Sequence, residues 1–144
     1  VNILTNLAYH KREISVFGGE QLRPNIHIAD MVEAYMVLLD APKDKIAGKI
    51  FNAGYENHKG MDIAKIVKQG VGGDVDIVTV PTDDNRSYHI SSEKIQKELR
   101  FTPNHTIDDA VTDLVGAFGR GSIPDSMTGD RYYNIKVMQS LRLK

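Results

Sequence analysis

Two hydrophobic periods alternate along this chain, and that alternation narrows the choice of folds more than any other feature. Stretches of period 2 are followed by stretches of the helical period 3.6. Residues 1–11 read as a helix through Val1, Leu4, Leu7 and Ala8. Residues 13–17, "EISVF", read as a strand closed by a Gly18-Gly19-Glu20 turn. Residues 24–28, "PNIHI", alternate with Ile26 and Ile28 on one face, and Asp30 reads as the N-cap of the apolar helix 31–41. Residues 49–54, "KIFNAG", read as a strand stopped by Gly54, and residues 60–71 as a helix with Ile63, Ile66 and Val67 inward. The alternation "DVDIVTV", 74–80, predicts a strand ended by Pro81. Residues 91–99 form a short helix capped by Ser91 or Ser92, with Ile95 and Leu99 on one face. Thr106, Asp108 and Asp109 open an amphipathic helix over 107–118. A glycine- and proline-bearing loop follows, and "YNIKVMQSLRL" reads as a last helix. Strands alternating with helices predict an α/β fold, and 144 residues suit a single domain spanning 1–144.

Composition removes several classes of function. A net charge of −1 supplies no general pull toward nucleic acid or anionic membrane, so a bound anion must be held by a few placed cations. No apolar run approaches the roughly 20 residues that span a bilayer. The absence of cysteine excludes disulfides and thiolate metal sites and fits a cytoplasmic protein. His10, His27, His58, His89 and His105 form no His-x-x-x-His pair, and no metal site is expected. Helical spacing starts at the first residue, so the chain reads as cut from a larger protein inside a helix; the alternative is a short N-terminal helix of a complete protein whose Met has been removed.

The candidate chemistry lies in two arginines. Arg23 precedes the 24–28 strand; alone, it reads as a solvated cation paired with Glu20 or Asp30. Arg86 stands in the loop between a strand and a helix, followed by Tyr88. Two guanidinium groups on separate loops could clamp a diphosphate, because their forks match phosphate oxygens. Spacing does not show that the loops meet. Asp83 and Asp84 read as loop solvation. Two further patterns are decoys. "GVGGD", 70–74, follows a helix and precedes a strand, the reverse of a dinucleotide-binding turn. Tyr132 and Lys136 have Tyr-x-x-x-Lys spacing, but they lie in a terminal helix that reads as packing. No catalytic residue is assigned.

Taken in order, "ISVFGGEQLRPNIHIADMVEAYMVLL", "GKIFNAGYEN", "MDIAKIV" and "RSYHISSEKIQKELRFTPNHTIDDAVTDL" resemble the C-terminal half of nucleotide-sugar epimerases and dehydratases, the extended short-chain dehydrogenases/reductases. The likeness covers about residues 1–118. It rests on Arg23, His27, Ile28 and Asp30, on Asn52, Ala53 and Gly54, and on Arg86, Ser92, Lys94, Glu98, Leu99, Phe101 and Pro103. Arg100 stands where the family usually has glycine, an atypical helix C-cap.

The resemblance implies partial Rossmann-like elements plus the small mixed α/β substrate-binding domain, without the N-terminal cofactor-binding half. It implies that Arg23 and Arg86 contact the diphosphate of a nucleotide-diphosphate sugar. His27, Tyr88 and Asn52 are the further pocket candidates, although His27 reads first as a packed, hydrogen-bonded histidine and Asp30 as a helix cap. The parent enzyme would use NAD or NADP, while this chain alone is expected to hold no cofactor and to be catalytically incomplete. The alternatives are a free-standing nucleotide-sugar binding module and a structural or interaction domain. A homo-oligomer is a further expectation, because helix 1–11 would leave apolar surface bare.

Overall fold

The structure is a computed structural model that describes residues 1–84 and 86–142. The first helix, α1 (Asn2–Lys11), ends at Arg12, whose φ of 57° reverses the chain into strand β1 (Glu13–Phe17). Arg12 secures that reversal with its side chain on Asp74 and its carbonyl accepting from the Asp76 N–H at 2.9 Å. Strand β2 (Leu22–Asn25) and helix α2 (Ile28–Asp40) follow, then the one-turn helix α3 (Lys43–Ile46) and strand β3 (Glu56–Lys59). Helix α4 (Gly60–Val71), strand β4 (Asp76–Val80), helices α5 (Glu93–Leu99) and α6 (Ile107–Gly119), a 3-10 turn at Asp130–Tyr132 and helix α7 (Asn134–Ser140) complete the order.

The strands form two small sheets. β1 runs parallel to β4 in the register Ile14↔Ile77, and β2 runs antiparallel to β3 with Arg23↔His58 and Pro24↔Asn57. A two-stranded ladder is marginal in water, so helices must cover it. α1, α4 and α6 do this for β1: Ala8, Ile14, Ala64, Val67, Val75 and Val111 are all fully buried in one cluster. Each large apolar side chain buried there contributes on the order of 1.5–3 kcal/mol. The helices meet closely at Gly70, where an added Cβ would stand 2.6 Å from Val111 Cγ1. That glycine lies inside α4 and serves packing; the helix stop falls at Gly72, with φ 134°.

A second, smaller cluster joins α2 to α5 through Ala34, Ile95 and Phe101, with Phe51 and Ala53 packed against it. Residues 49–54, expected as a strand, have no ladder partner among the described residues. Their polar backbone is tied instead by α5 side chains and the residue that precedes them. Ser92 Oγ donates to Gly54 O and accepts from Gly54 N, both at 2.8 Å, and Lys94 Nζ donates to Ile50 O at 2.8 Å. Gly54 leaves room for Ile90, whose Cδ1 would stand 2.4 Å from an added Cβ and would have to move for any larger residue.

The start of α2 also departs from expectation. His27 is extended (φ −67°, ψ 146°) and its Nδ1 accepts the Ala29 N–H at 3.2 Å, so an imidazole caps the helix three residues before Asp30. β2 consequently ends at Asn25, and Ile28 is exposed rather than sharing a buried face with Ile26.

Helix α5 ends at Arg100 in the left-handed conformation, φ 58°, with its N–H on Gln96 O. A side chain there costs about 1 kcal/mol that glycine does not. Arg100→Gly is therefore expected to raise the urea midpoint, adding about 1 kcal/mol. A lowered midpoint would show that the arginine side chain outweighs its backbone cost.

Candidate functional site

The site begins at the turn that joins the two sheets. Gly18 (φ 71°) and Gly19 (φ 102°) reverse the chain after β1, and a Cβ on Gly18 would stand 2.6 Å from Gln21 Nε2 and 2.7 Å from Thr82 Cγ2. Only glycine allows this approach. Gln21 uses both ends of its amide: Oε1 accepts from Gly19 N at 2.9 Å, and Nε2 donates to Asp84 O at 2.7 Å. The segment after β4 is thereby drawn along the edge of β2 that β3 does not use. Leu22 N donates to Ser87 Oγ at 2.9 Å, and Tyr88 N donates to Leu22 O at 3.1 Å.

Arg23 and Arg86 meet on this edge. Arg23 Nη1 donates to the Arg86 carbonyl at 2.6 Å and to Leu22 O at 3.0 Å, and its Nη2 lies 3.8 Å from Asp84 Oδ2. Arg86 holds the same carboxylate bidentate, Nε to Oδ1 at 2.7 Å and Nη2 to Oδ2 at 2.8 Å. Hydrogen bonding from Arg86 keeps the Asp84 carboxyl well below the usual carboxylate range and, reciprocally, raises the Arg86 guanidinium. Tyr88, half exposed, lies under Arg23 with Cζ 5.5 Å from the ring centroid. Beside them a cleft of ≈ 320 Å³ is lined by Gly18, Glu20, Gln21, Thr82 and Ser87. Glu20 pairs with Lys59 and Asp30 with His105, so neither carboxylate partners Arg23.

The other pocket candidates stand apart from this pair. Asn52 is exposed on the 49–54 segment. His27 belongs to a second polar network. Its Nδ1 accepts from Ala29, so Nε2 carries the proton and faces Asp113 Oδ2 at 3.4 Å. Its ring stacks on His105 with centroids 4.7 Å apart and planes 22° apart. Asp30 lies beneath, fully buried. It does not cap its own helix but accepts from Asn104 N at 3.1 Å and His105 N at 2.9 Å, with His105 Nδ1 at 2.7 Å. Burial pushes the Asp30 carboxyl up, but these three bonds outweigh it and hold it below its ordinary value. The bond to Asp30 raises the His105 imidazole.

This network latches α2 to the entry of α6. Ile107 N donates to Glu56 Oε2 at 2.8 Å and Thr106 N to Asp109 Oδ2 at 2.7 Å, so four consecutive N–H groups, 104 to 107, each find a carboxylate. Tyr132 and Lys136 are occupied separately: the Tyr132 hydroxyl donates to Pro124 O, and Lys136 Nζ pairs with Asp130 and lies over Tyr133. Sequence reasoning missed Asp84 and Gln21. Asp83 is exposed, as loop solvation requires, but Asp84 is not merely solvated. The one local signal for it is the Asp-x-Arg spacing, which lets Asp84 Oδ1 accept the Arg86 N–H at 3.1 Å in a side-chain turn.

Comparison with known proteins finds similarity along most of the chain. Residues 2–54 match the family model described as NAD dependent epimerase/dehydratase family. A UDP-glucose 4-epimerase of Corynebacterium glutamicum is 27% identical over 139 residues, which is 88% of this chain and 40% of that protein. Among solved structures, the UDP-glucose 4-epimerase of Thermotoga maritima with UDP-glucose superposes with a TM-score of 0.72 at 21% identity, over 83% of this chain and 39% of that one. L-threonine dehydrogenase from Clostridium difficile gives a TM-score of 0.72 at 17% identity, over 84% and 40%. The chain shares part of the Rossmann-like fold of these structures, and its match to the epimerase/dehydratase family model is confined to residues 2–54. It spans 40% of the length of the curated relative that it matches. No helix among the described residues is long and apolar enough to cross a membrane, and those residues include no cluster suited to a metal ion.

The imidazole latch has a pH signature. His105, raised above its ordinary 6.5, contributes stability that is complete below pH 6.5 and is lost as pH rises through its folded-state value. Asp30, held below 3.8, contributes stability present above that value and lost as pH falls through its folded-state value. Urea midpoints measured from pH 5 to 8.5 are expected to fall toward the alkaline end, and to fall less in His105→Gln. Parallel curves for the two proteins would contradict the latch.

Proposed function

We propose that this chain supplies the diphosphate-binding wall of an NAD- or NADP-dependent nucleotide-sugar epimerase or dehydratase. One observation carries the reading. Two guanidinium groups, 63 residues apart in sequence, converge on a single carboxylate at the edge of β2, and one holds the loop of the other by its carbonyl. A pair that grips one anion in a bidentate fork is suited to phosphate oxygens as well. The Thermotoga relative with UDP-glucose supports the substrate class.

In this reading Arg23 and Arg86 neutralise the diphosphate, and Tyr88 offers a half-exposed ring beside it. The stitching of residues 84–88 to residues 21–23 keeps the two cations in a fixed relation, which lowers the ordering cost of binding. The nicotinamide cofactor would bring hydride transfer. The glycine-rich residues 70–74 do not fit a dinucleotide cradle, since they run from a helix into a strand. Lys136 and Tyr132 are bound to different partners. No chemical step is therefore assigned to this chain; its part is to bind and orient. Arg23, Arg86 and Tyr88 form the proposed contact set, with His27 and Asn52 as outer candidates, and a cytoplasmic parent completes the proposal.

The superposition on L-threonine dehydrogenase favours a second reading, an amino-acid dehydrogenase fragment. Against it, two cations beside one another supply more charge than a single amino-acid carboxylate carries and match the two or more charges of a diphosphate. NMR titration of the chain separates the readings. UDP is expected to shift residues 21–23 and 86–88, and Arg23→Ala and Arg86→Ala are each expected to weaken it by about ten-fold. L-threonine is expected to leave those resonances in place. UDP binding that survives both substitutions unchanged would defeat the diphosphate reading.

A further inference from the structure

Asp84 stands between the two cations, and its chemistry duplicates that of the proposed ligand. Its two oxygens take the Nε and Nη2 edge of Arg86 at 2.7 and 2.8 Å, and Oδ2 is 3.8 Å from Arg23 Nη2. This is the edge through which a guanidinium donates to two phosphate oxygens. We propose that Asp84 is a built-in competitor for the arginine pair, a carboxylate that a diphosphate must displace to bind. The inference rests on the diphosphate reading and concerns how that site is regulated.

The construction of the loop suits displacement. The Asp84 backbone is fixed independently of its side chain: its carbonyl accepts from Gln21 Nε2 at 2.7 Å and its N–H donates to Thr82 Oγ1 at 3.2 Å. The carboxylate can rotate away at the cost of its bond from the Arg86 N–H at 3.1 Å, while Gln21, Leu22 and Arg23 keep the loop on β2. Its side chain is 38% exposed, so it can turn into water without a desolvation barrier. The arginine geometry need not be rebuilt either, since Arg23 holds the Arg86 carbonyl, not the carboxylate, as its shortest contact. An ion pair this exposed is weak, whereas a diphosphate brings two or more charges to the same fork. The competitor thus weakens binding of single weak anions and yields to a diphosphate. Asp83, exposed beside it, makes the same net charge without reaching the fork, and supplies the control.

The test is an NMR titration of the 144-residue chain with inorganic pyrophosphate, following the Arg86 Nε–H resonance and, where Arg86 is replaced, the backbone resonances of residues 21–23. The proteins are the unsubstituted chain, Asp84→Asn, Asp84→Ser, Asp83→Asn, Arg86→Ala and the double variant Asp84→Asn/Arg86→Ala. Asn and Ser keep a side-chain oxygen to accept the Arg86 N–H, so the turn is retained in both. Asp84→Asn and Asp84→Ser are expected to tighten pyrophosphate by about three-fold. Asp83→Asn is expected to change it little, and the gain is expected to vanish in the double variant. If Arg86→Ala weakens binding but the Asp84 variants bind no tighter than Asp83→Asn, the competitor is overturned and the arginine reading stands. If Arg86→Ala leaves pyrophosphate binding untouched, the arginine reading falls and the competitor falls with it.

Discussion

Four hydrogen bonds along one strand edge decide where the charges of this protein stand. Gln21, Leu22 and Arg23 bind Asp84, Arg86, Ser87 and Tyr88 through one amide, two backbone contacts and one guanidinium. Each contributes a net of about 0.5–1.5 kcal/mol. Together they hold residues 84 and 86–88 against β2. The edge is available because, among the described residues, β2 has β3 as its one ladder partner, leaving its other side to the loop. Pro24 lacks an N–H, which costs little in a strand with so short a ladder. Position and charge are therefore coupled: the same residue, Arg23, supplies a cation and fastens the loop that carries the other.

The second constraint is the buried Asp30 carboxylate. It takes the N–H groups of residues 104 and 105 while Glu56 and Asp109 take those of 107 and 106. An unpaired carboxylate at this depth would cost several kcal/mol, so α2 and α6 cannot separate without exposing or orphaning it. The two apolar clusters are small, and this polar joint connects them. His27 and His105 stack at the same place, and the bond from His105 to Asp30 makes the joint responsive to protonation while leaving the arginine pair on a different edge.

Much of this was legible in the residues. Ile63, Ile66 and Val67 marked the buried face of α4, and Thr106 with Asp108 and Asp109 marked the start of α6, because both patterns act within one helical turn; that Thr106 and Asp109 close a capping box emerged only in the structure. β1 was legible from its alternation. β3, "ENHK", was not: its residues are polar and half exposed, so no apolar period announces it. The start of α2 was misplaced because Asp30 has the side chain of a cap, while the true cap is the imidazole of His27. The 49–54 segment looked like a strand because Ile50 and Phe51 are apolar, yet its backbone is satisfied by Ser92 and Lys94 from elsewhere. Family likeness pointed to Arg23 and Arg86 together, but nothing local in the residues announces that they meet, since the contact spans 63 positions. Asp84 was passed over for the same reason: what matters is its neighbour in space.

The central claim is that Arg23 and Arg86 form one diphosphate-binding unit, and a crystal structure of the chain grown with UDP-glucose tests it most directly. The expected result is a diphosphate whose oxygens lie within about 3 Å of both guanidinium groups. A diphosphate bound elsewhere, with neither arginine in contact, would contradict the account.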